Sequence, residues 1–282
     1  MTEEDGVGEV SRFLTLLELE PVGDDRFRAW NPPTPQEWHQ RSLFGGQVAA
    51  HALRAAQLTV EADHRVHSLH GYFLRPGKDD APTDLQVDRI RDGKSFTTRT
   101  VVARQDGEAI FNLTASFHKD EDGGVFATAI DPEIPHPDDL LTAESSRFDR
   151  MGVESPFERL DVPGYSFRSA SEEPRRAMWI RIRASLPDDP ALHACAVTFI
   201  SDMGVLGAVR AARGRLKDPA MAASLDHAVW FHRPLRADEW LLYDIHAKST
   251  AGARGLGIGT MHTVDGTHVV TVGQEGLVRL FD

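Results

Sequence analysis

One cysteine stands in 282 residues. Cys195 alone excludes an intramolecular disulfide and any metal centre built on several thiolates. Inside the apolar, helix-prone run ALHACAVTF it reads as a buried structural thiol rather than a nucleophile. Positive charge is also scarce: 31 Lys and Arg against 43 Asp and Glu leave a net −12. That balance argues against a nucleic-acid partner, since no basic excess exists to neutralise phosphates. A few local Arg and Lys can still hold a small phosphate-bearing ligand. No stretch approaches the roughly 20 apolar residues that span a bilayer, so no membrane insertion is expected. The acidic start MTEEDGVGEV lacks the order of a secretory signal, and the end LVRLFD carries no peroxisomal tripeptide. A cytoplasmic enzyme is the expectation. What remains, 41% hydrophobic and 26% charged residues, is a globular composition on a chain long enough for one large core or two ordinary ones.

The chain is written twice. AAHALRAA (49–56) answers VLGAVRAA (205–212) at an offset of 156, and YFLRP (72–76) answers WFHRP (230–234) at 158. The turn Asp106-Gly107 answers Asp265-Gly266 at 159. Ordered matches with a small drift are what a duplication with loop insertions leaves.

Each half carries the same elements. Two β-like runs come first, Phe13 to Glu20 and Arg26 to Trp30, then Phe157 to Val162 and Met178 to Ala184 in the second half. A helix rich in Ala and Leu or Val follows, Gln47 to Gln57 and Met203 to Arg213. The first half then has strands over His67 to Leu74, Thr83 to Arg91, Ser95 to Ala103 and Ala109 to Phe117. The second has Leu225 to His232, Glu239 to Ser249, Gly255 to Thr263 and His268 to Leu277. The Asp-Gly dipeptides are hairpin signals. One apolar helix wrapped by a curved antiparallel sheet satisfies this pattern twice, an α+β double hotdog. The expected division is residues 1–118, an acidic Pro/Gly-rich connection at 119–150 with a short helix near Asp138 to Arg147, and residues 151–282.

The motifs LFGGQV, YFLRPG, DGKSFTTRTV and IFNLTASF of the first half, with FISDMG, ASLDHAVWFHRP, DEWLLYDI, ARGLGIG and TVGQEGLVR of the second, resemble the acyl-CoA thioesterase II (TesB-type) family. The likeness runs over nearly the whole chain outside the connection. It implies a double-hotdog hydrolase that cleaves acyl-CoA to free CoA and a fatty acid, with no cofactor beyond the CoA of the substrate. It also implies association into a homodimer or homotetramer. The family holds its attacking water with an Asp, a Thr or Ser, and a Gln. By motif these fall on Asp202, Ser224 and Gln274, with Ser here where many relatives carry Thr. That exchange keeps the hydroxyl but loses a methyl that stiffens χ1.

The residues themselves allow these roles. Asp202 immediately precedes the expected second helix, where a helix N-terminus keeps a carboxylate ionised and able to take a proton from water. A plain cap is the competing account. Its counterpart at 156 is Gly46. Ser224 lies two residues before Asp226 at a strand start, so both are expected on one face. No GxSxG elbow surrounds it, which leaves positioning of water rather than covalent attack. Gln274, in an apolar strand between Gly273 and Gly276, needs partners and can orient a nucleophile without titrating. Gly45 and Gly46 open the first helix, where free N–H groups suit an oxyanion; tight helix–sheet packing is the alternative. Arg89, Arg91, Lys94, Lys248 and Arg254 flank turns and are candidates for CoA phosphates, with exposed charge as the alternative.

Other signals lead elsewhere. His64, His67 and His70 form HxxHxxH, but a spacing of three along a strand is expected to send the last two to opposite faces, so no metal is expected. GLGIG (255–259) lacks the strand-loop-helix context of a nucleotide loop. Arg75-Pro76 and Arg233-Pro234 mark strand ends and suit structural contacts. An enoyl-CoA hydratase of the same architecture would need a His five residues after the Asp, and Gly207 stands there. A non-catalytic acyl-CoA-binding module is the remaining rival, opposed by the intact Asp202, Ser224 and Gln274.

Overall fold

Strand order in the computed structural model is a palindrome of the repeat. The structure describes residues 13–31, 42–142, 156–166, 174–183, 185–212 and 220–280. The first half supplies β1 (Leu19–Gly23), β2 (Arg26–Ala29), β3 (His64–Phe73), β4 (Thr83–Asp92), β5 (Phe96–Gln105) and β6 (Glu108–Lys119). The second supplies β7 (Phe157–Asp161), β8 (Arg175–Ile182), β9 (Ala220–Ser224), β10 (Asp226–Phe231), β11 (Leu241–Ala251), β12 (Arg254–Thr263) and β13 (His268–Leu280). They form one 13-stranded sheet in the order β1-β2-β4-β5-β6-β3-β10-β13-β12-β11-β8-β7, with β9 added to β13. Antiparallel β3 and β10 meet in the middle, where His70 lies opposite Ala228. Those residues are counterparts at the 158 offset, so a pseudo-twofold axis passes between them.

The helices outside the connection cover one face of the sheet. Helix α1 (Gly45–Gln57) lies on β4, β5 and β6 and buries Val48, Ala49, Ala52, Leu53 and Ala56, an i, i+3, i+4 stripe. A short helix α2 (Pro137–Thr142) belongs to the connection. Helix α3 (Pro190–Ser201) is capped by Asp189, whose carboxylate accepts from the Ala191 N–H at 2.9 Å, and packs on α1. Helix α4 (Val205–Ala212) lies on β11, β12 and β13 as α1 lies on its own strands. The GLGIG run is its floor. A Cβ on Gly255, Gly257 or Gly276 would come within 2.5 Å of Val209, Val205 or Leu206.

Several expectations need correction. Residues 13–17 are helical rather than extended, because Phe13 and Leu17, four apart, both bury at 1% and 2% exposure on one helical face. A run of sufficient apolar length to cross a bilayer does exist, Pro190–Ala212, but it breaks between α3 and α4 and most of it is buried inside the protein. Strand β9 was not anticipated. The expected ends at Arg147, Ala184 and Arg213 lie outside the described residues.

The connection is a fixed strap on the outer sheet face. Ile130, Ile134, Leu140 and Leu141 pack with Leu160, Trp179, Trp240 and Leu242. Trp179 Nε1 donates to the Pro135 carbonyl at 3.0 Å. Arg175 grips Asp244 through two hydrogen bonds of 2.8 Å and reaches Asp131 at 2.8 Å. The predicted arginines do matching work at strand ends: Arg75 Nη1 donates to Ala109 O at 2.7 Å and Arg233 Nη1 to His268 O at 2.6 Å. Asp106-Gly107 turns with both φ positive, at 50° and 81°, the hairpin geometry its sequence demands.

Candidate functional site

Asp202 sits at the corner between α3 and α4. It is the C-cap of α3, with φ −77° and ψ −7°, and not the cap of the helix that follows. The helix N-terminus that it meets belongs to the other half. Phe44, at the N-cap of α1, offers no side-chain bond, and Asp202 Oδ2 instead accepts the Gly46 N–H at 2.9 Å. The carboxylate thus caps α1 from 156 residues away, an arrangement that favours negative charge there.

Its second oxygen, Oδ1, accepts from Gln274 Nε2 at 2.5 Å. Gln274 is 1% exposed and points to the helix side of β13, as does its neighbour across β12, Gly257. Gln274 Oε1 is buried and has no hydrogen-bond partner among the described residues. Asp202 keeps part of its surface, but protein atoms crowd its carboxylate. Desolvation outweighs the bonds from Gln274 and Gly46 and pushes its pKa up to about 6. At pH 7 the group is ionised, and it is a stronger base than an ordinary carboxylate.

Ser224 pairs with Gly276 of β13, two residues from Gln274 and on the same helix-side face. No hydrogen bond joins its hydroxyl to Asp202 or Gln274. The expectation that Ser224 and Asp226 share a face fails. From Ser224 opposite Gly276, regular pairing would put Ala228 opposite Val272, but Ala228 faces Gly273. One extra residue in the β9–β10 side makes a bulge, and bulges re-aim side chains. Asp226 consequently lies beside the exposed Tyr72 on the outer face, where its Oδ1 takes the Glu275 N–H at 2.6 Å.

The two glycines sit under close contact. A Cβ on Gly45 would come 2.8 Å from Asp202 Oδ2 and from Phe73, and one on Gly46 would lie 2.4 Å from the Phe199 carbonyl. The Gly46 N–H is engaged by Asp202.

The basic candidates do not converge. Arg89 is held by Asp25 through bonds of 2.7 and 2.9 Å. The adjoining Asp92 bonds the buried Arg99, which reaches Thr59 beyond the far end of α1, so Arg89, Arg91 and Lys94 stand a helix length from Gly46. Arg254 pairs with Glu275 at 3.1 Å, next to Gln274 in sequence but on the opposite face. Lys248 is exposed. The histidine triplet departs from its expected geometry as well. A bulge between Val66 and Ser68 turns His67 outward, to Ser116 Oγ at 2.8 Å, on the same face as His70 against Trp230. His64 bonds Asp63 at 2.9 Å. Among the described residues no group of three or more His, Cys, Asp or Glu is arranged to hold a metal ion. Cys195 is buried, which pushes its thiol up to about 12, and it donates to Gln57 Oε1 at 3.1 Å.

Two protein-family models match the chain: one described as the acyl-CoA thioesterase N-terminal domain over residues 34–118, the other as its C-terminal domain over 132–278. The chain is 35% identical to mouse (Mus musculus) acyl-coenzyme A thioesterase 8 over 288 residues, covering 94% of this chain and 88% of that protein. It is 31% identical to acyl-CoA thioesterase 2 of Haemophilus influenzae, covering 96% and 98%. Among solved structures, acyl-CoA thioesterase II TesB2 from Mycobacterium marinum superposes with a TM-score of 0.82 at 39% identity over 96% of this chain and 99% of that one. A hot dog fold protein from Alicyclobacillus acidocaldarius, at 21% identity and a TM-score of 0.77, shares the fold over 96% of this chain and 99% of that one.

Proposed function

The chain belongs to the acyl-CoA thioesterase family, of the TesB type, and from that premise we propose that it hydrolyses acyl-CoA by direct attack of a water held by Asp202, Ser224 and Gln274. The observation that carries this reading is the carboxylate gripped from both halves of the chain, with its basicity raised by burial. Asp202 takes the proton as water adds to the thioester carbonyl and gives it back to the departing sulfur as the C–S bond breaks, so that CoA leaves as the thiol and the acyl group as a carboxylic acid. No covalent acyl-enzyme is required, because a thioester carbonyl is electrophilic enough for a positioned water with a general base.

Gln274 has two parts to play. Its Nε2 fixes Asp202, and its buried, unpartnered Oε1 is an acceptor suited to a water proton. Ser224 faces the same side and supplies a hydroxyl that can donate to or accept from that water. In the resting geometry the Gly46 N–H belongs to Asp202, so an oxyanion role for the α1 terminus requires that the carboxylate share or release it, or that the Gly45 N–H serve. The CoA phosphates would meet exposed cations such as Lys248, and the association of chains into a dimer or tetramer is part of the same reading.

Free-thiol release from a panel of acyl-CoAs tests the proposal. Asp202→Asn is expected to lower kcat by about 10²–10⁴-fold, the usual scale of general-base action, with KM little changed. Parental kcat in a folded Asp202→Asn protein would overturn it.

A further inference from the structure

His227 is a fully buried imidazole beside the proposed base, and nothing in the hydrolytic step uses it. It lies on β10 opposite Gly71, on the helix side, because a side chain at Gly71 would strike Phe111 in the core. Next along, Ala228 faces Gly273, so His227 and Gln274 are neighbours across β10 and β13. Its Nε2 lies 2.7 Å from the Oγ of Ser201, the last residue of α3 and the one before Asp202.

Proton counting fixes the direction of that bond. The Ser201 hydroxyl has one proton, and it also lies 2.8 Å from the Thr198 carbonyl, which can only accept. Ser201 therefore donates to Thr198, and His227 donates to Ser201 from Nε2. That leaves Nδ1 unprotonated, buried and without a partner among the described residues, as Gln274 Oε1 is. Burial holds the imidazole down to about 4, so it is neutral at pH 7 and is no competitor to Asp202 as base. The same residue is tied from a second side: Tyr243 donates its hydroxyl to the Ser201 carbonyl at 2.6 Å, satisfying a group that the helix end leaves open.

We infer that His227 is a positioning residue for the reaction, which aims the Asp202 carboxylate by fixing Ser201 to the central strand of the sheet. This rests on the reading of Asp202 as the base. With the Nε2 bond lost, Ser201 keeps its carbonyl bond from Tyr243 but no side-chain tie to β10, and the carboxylate can drift from Gly46 and Gln274.

The test compares His227→Leu, His227→Gln and Ser201→Ala in the full chain, with thermal melts to establish folding. Gln can place an N–H where Nε2 stood. Leu and Ala cannot rebuild the bond. Misplacing a reacting group by about 1 Å costs up to about 100-fold, so His227→Leu and Ser201→Ala are each expected to lose roughly 10–100-fold in kcat with KM nearly unchanged. The double variant should be no slower than Ser201→Ala, because that change already removes the bond to His227. His227→Gln should recover most of the rate, which a role in packing alone would not require. A folded His227→Leu or Ser201→Ala protein at parental kcat, a His227→Gln protein as slow as Leu, or losses that multiply would each overturn the inference. If His227→Leu does not fold, Ser201→Ala carries the comparison alone. Asp202→Asn separates the two levels. If it keeps parental kcat, the base assignment fails and the positioning role with it. If it is inactive while Ser201→Ala and His227→Leu are fully active, only the positioning role fails.

Discussion

Replacing Asp202 by Asn should make the protein more stable, and only above the pH at which the carboxylate ionises. The sign follows from the direction of the shift. Burial raises the folded pKa to about 6 from an ordinary 3.8, so between those values the folded state binds more protons than the unfolded one. Stability then falls as pH rises through that window and stays lowered above it. At about 1.4 kcal/mol per pKa unit, the ionised carboxylate costs at most about 3 kcal/mol at pH 8, and less where solvent reaches the group. Asn keeps an acceptor for the Gly46 N–H. Its amide can donate to Gln274 once that side chain rotates its unpartnered Oε1 inward. Urea unfolding of both proteins at pH 4, 5, 6, 7 and 8 reads the effect directly. The Asn variant should gain on the parent from pH 4 to pH 7, by about 1–3 kcal/mol in total, and hold that margin at pH 8. A margin that is constant with pH, or that shrinks as pH rises, would refute the claim that the carboxylate is desolvated.

Further outcomes follow from the same contacts. In the pH dependence of kcat, an acidic limb with a midpoint near 6 is expected from Asp202. Gln274→Leu should move it upward, because the bond from Nε2 is the larger of the two that hold the carboxylate down against burial; an unmoved midpoint contradicts this. Gly46→Ala puts a methyl 2.4 Å from the Phe199 carbonyl and should cost roughly 1–3 kcal/mol in urea unfolding, the range for overpacked sites. A neutral substitution there would mean that the α1–α3 contact is looser than described. Against the opposing effect of burial, His246 and Arg175 together hold the mostly buried Asp244 below the usual carboxylate range, and Arg175→Ala leaves it with His246 alone. A loss of roughly 3 kcal/mol and faster proteolytic cleavage between residues 120 and 136 are expected; unchanged cleavage would show that the strap is held by its apolar contacts alone.

Much of the architecture was legible in the sequence because helix and strand periods differ and the text repeats. The offsets of 156, 158 and 159 placed α1, α4 and the later strands of each half, whereas the expected first strand fell mostly on a helical stretch and β9 was missed. Asp202 and Gln274 were legible through motif and proved to be in contact. The face assignments that failed have one common cause. A bulge adds a residue without changing composition, and it inverts every face assignment made by counting in twos. The bulge at Ser224 to Ala228 sent Asp226 outward, and the one at Val66 to Ser68 brought His67 to the side of His70. The partner of Asp202 was also hidden. A local reading gives a carboxylate to the helix it precedes, and only the folded sheet shows that it serves the opposite one. His227 gave no signal at all, since a lone histidine in an apolar strand looks like filler.

The bond between Asp202 and Gly46 has an evolutionary meaning. These residues are counterparts, and the axis of the fold sets them face to face. Two identical protomers would therefore oppose acid to acid or glycine to glycine at this spot; an acid in place of Gly46 would drive its Cβ into the Phe199 carbonyl, and a glycine in place of Asp202 would leave the Gly46 N–H without its acceptor. Joining the copies into one gene allowed the corners to specialise as giver and receiver of a proton-bearing contact. Such a corner cannot be inherited by one copy alone, and a free C-terminal half would carry its acid with nothing to answer it.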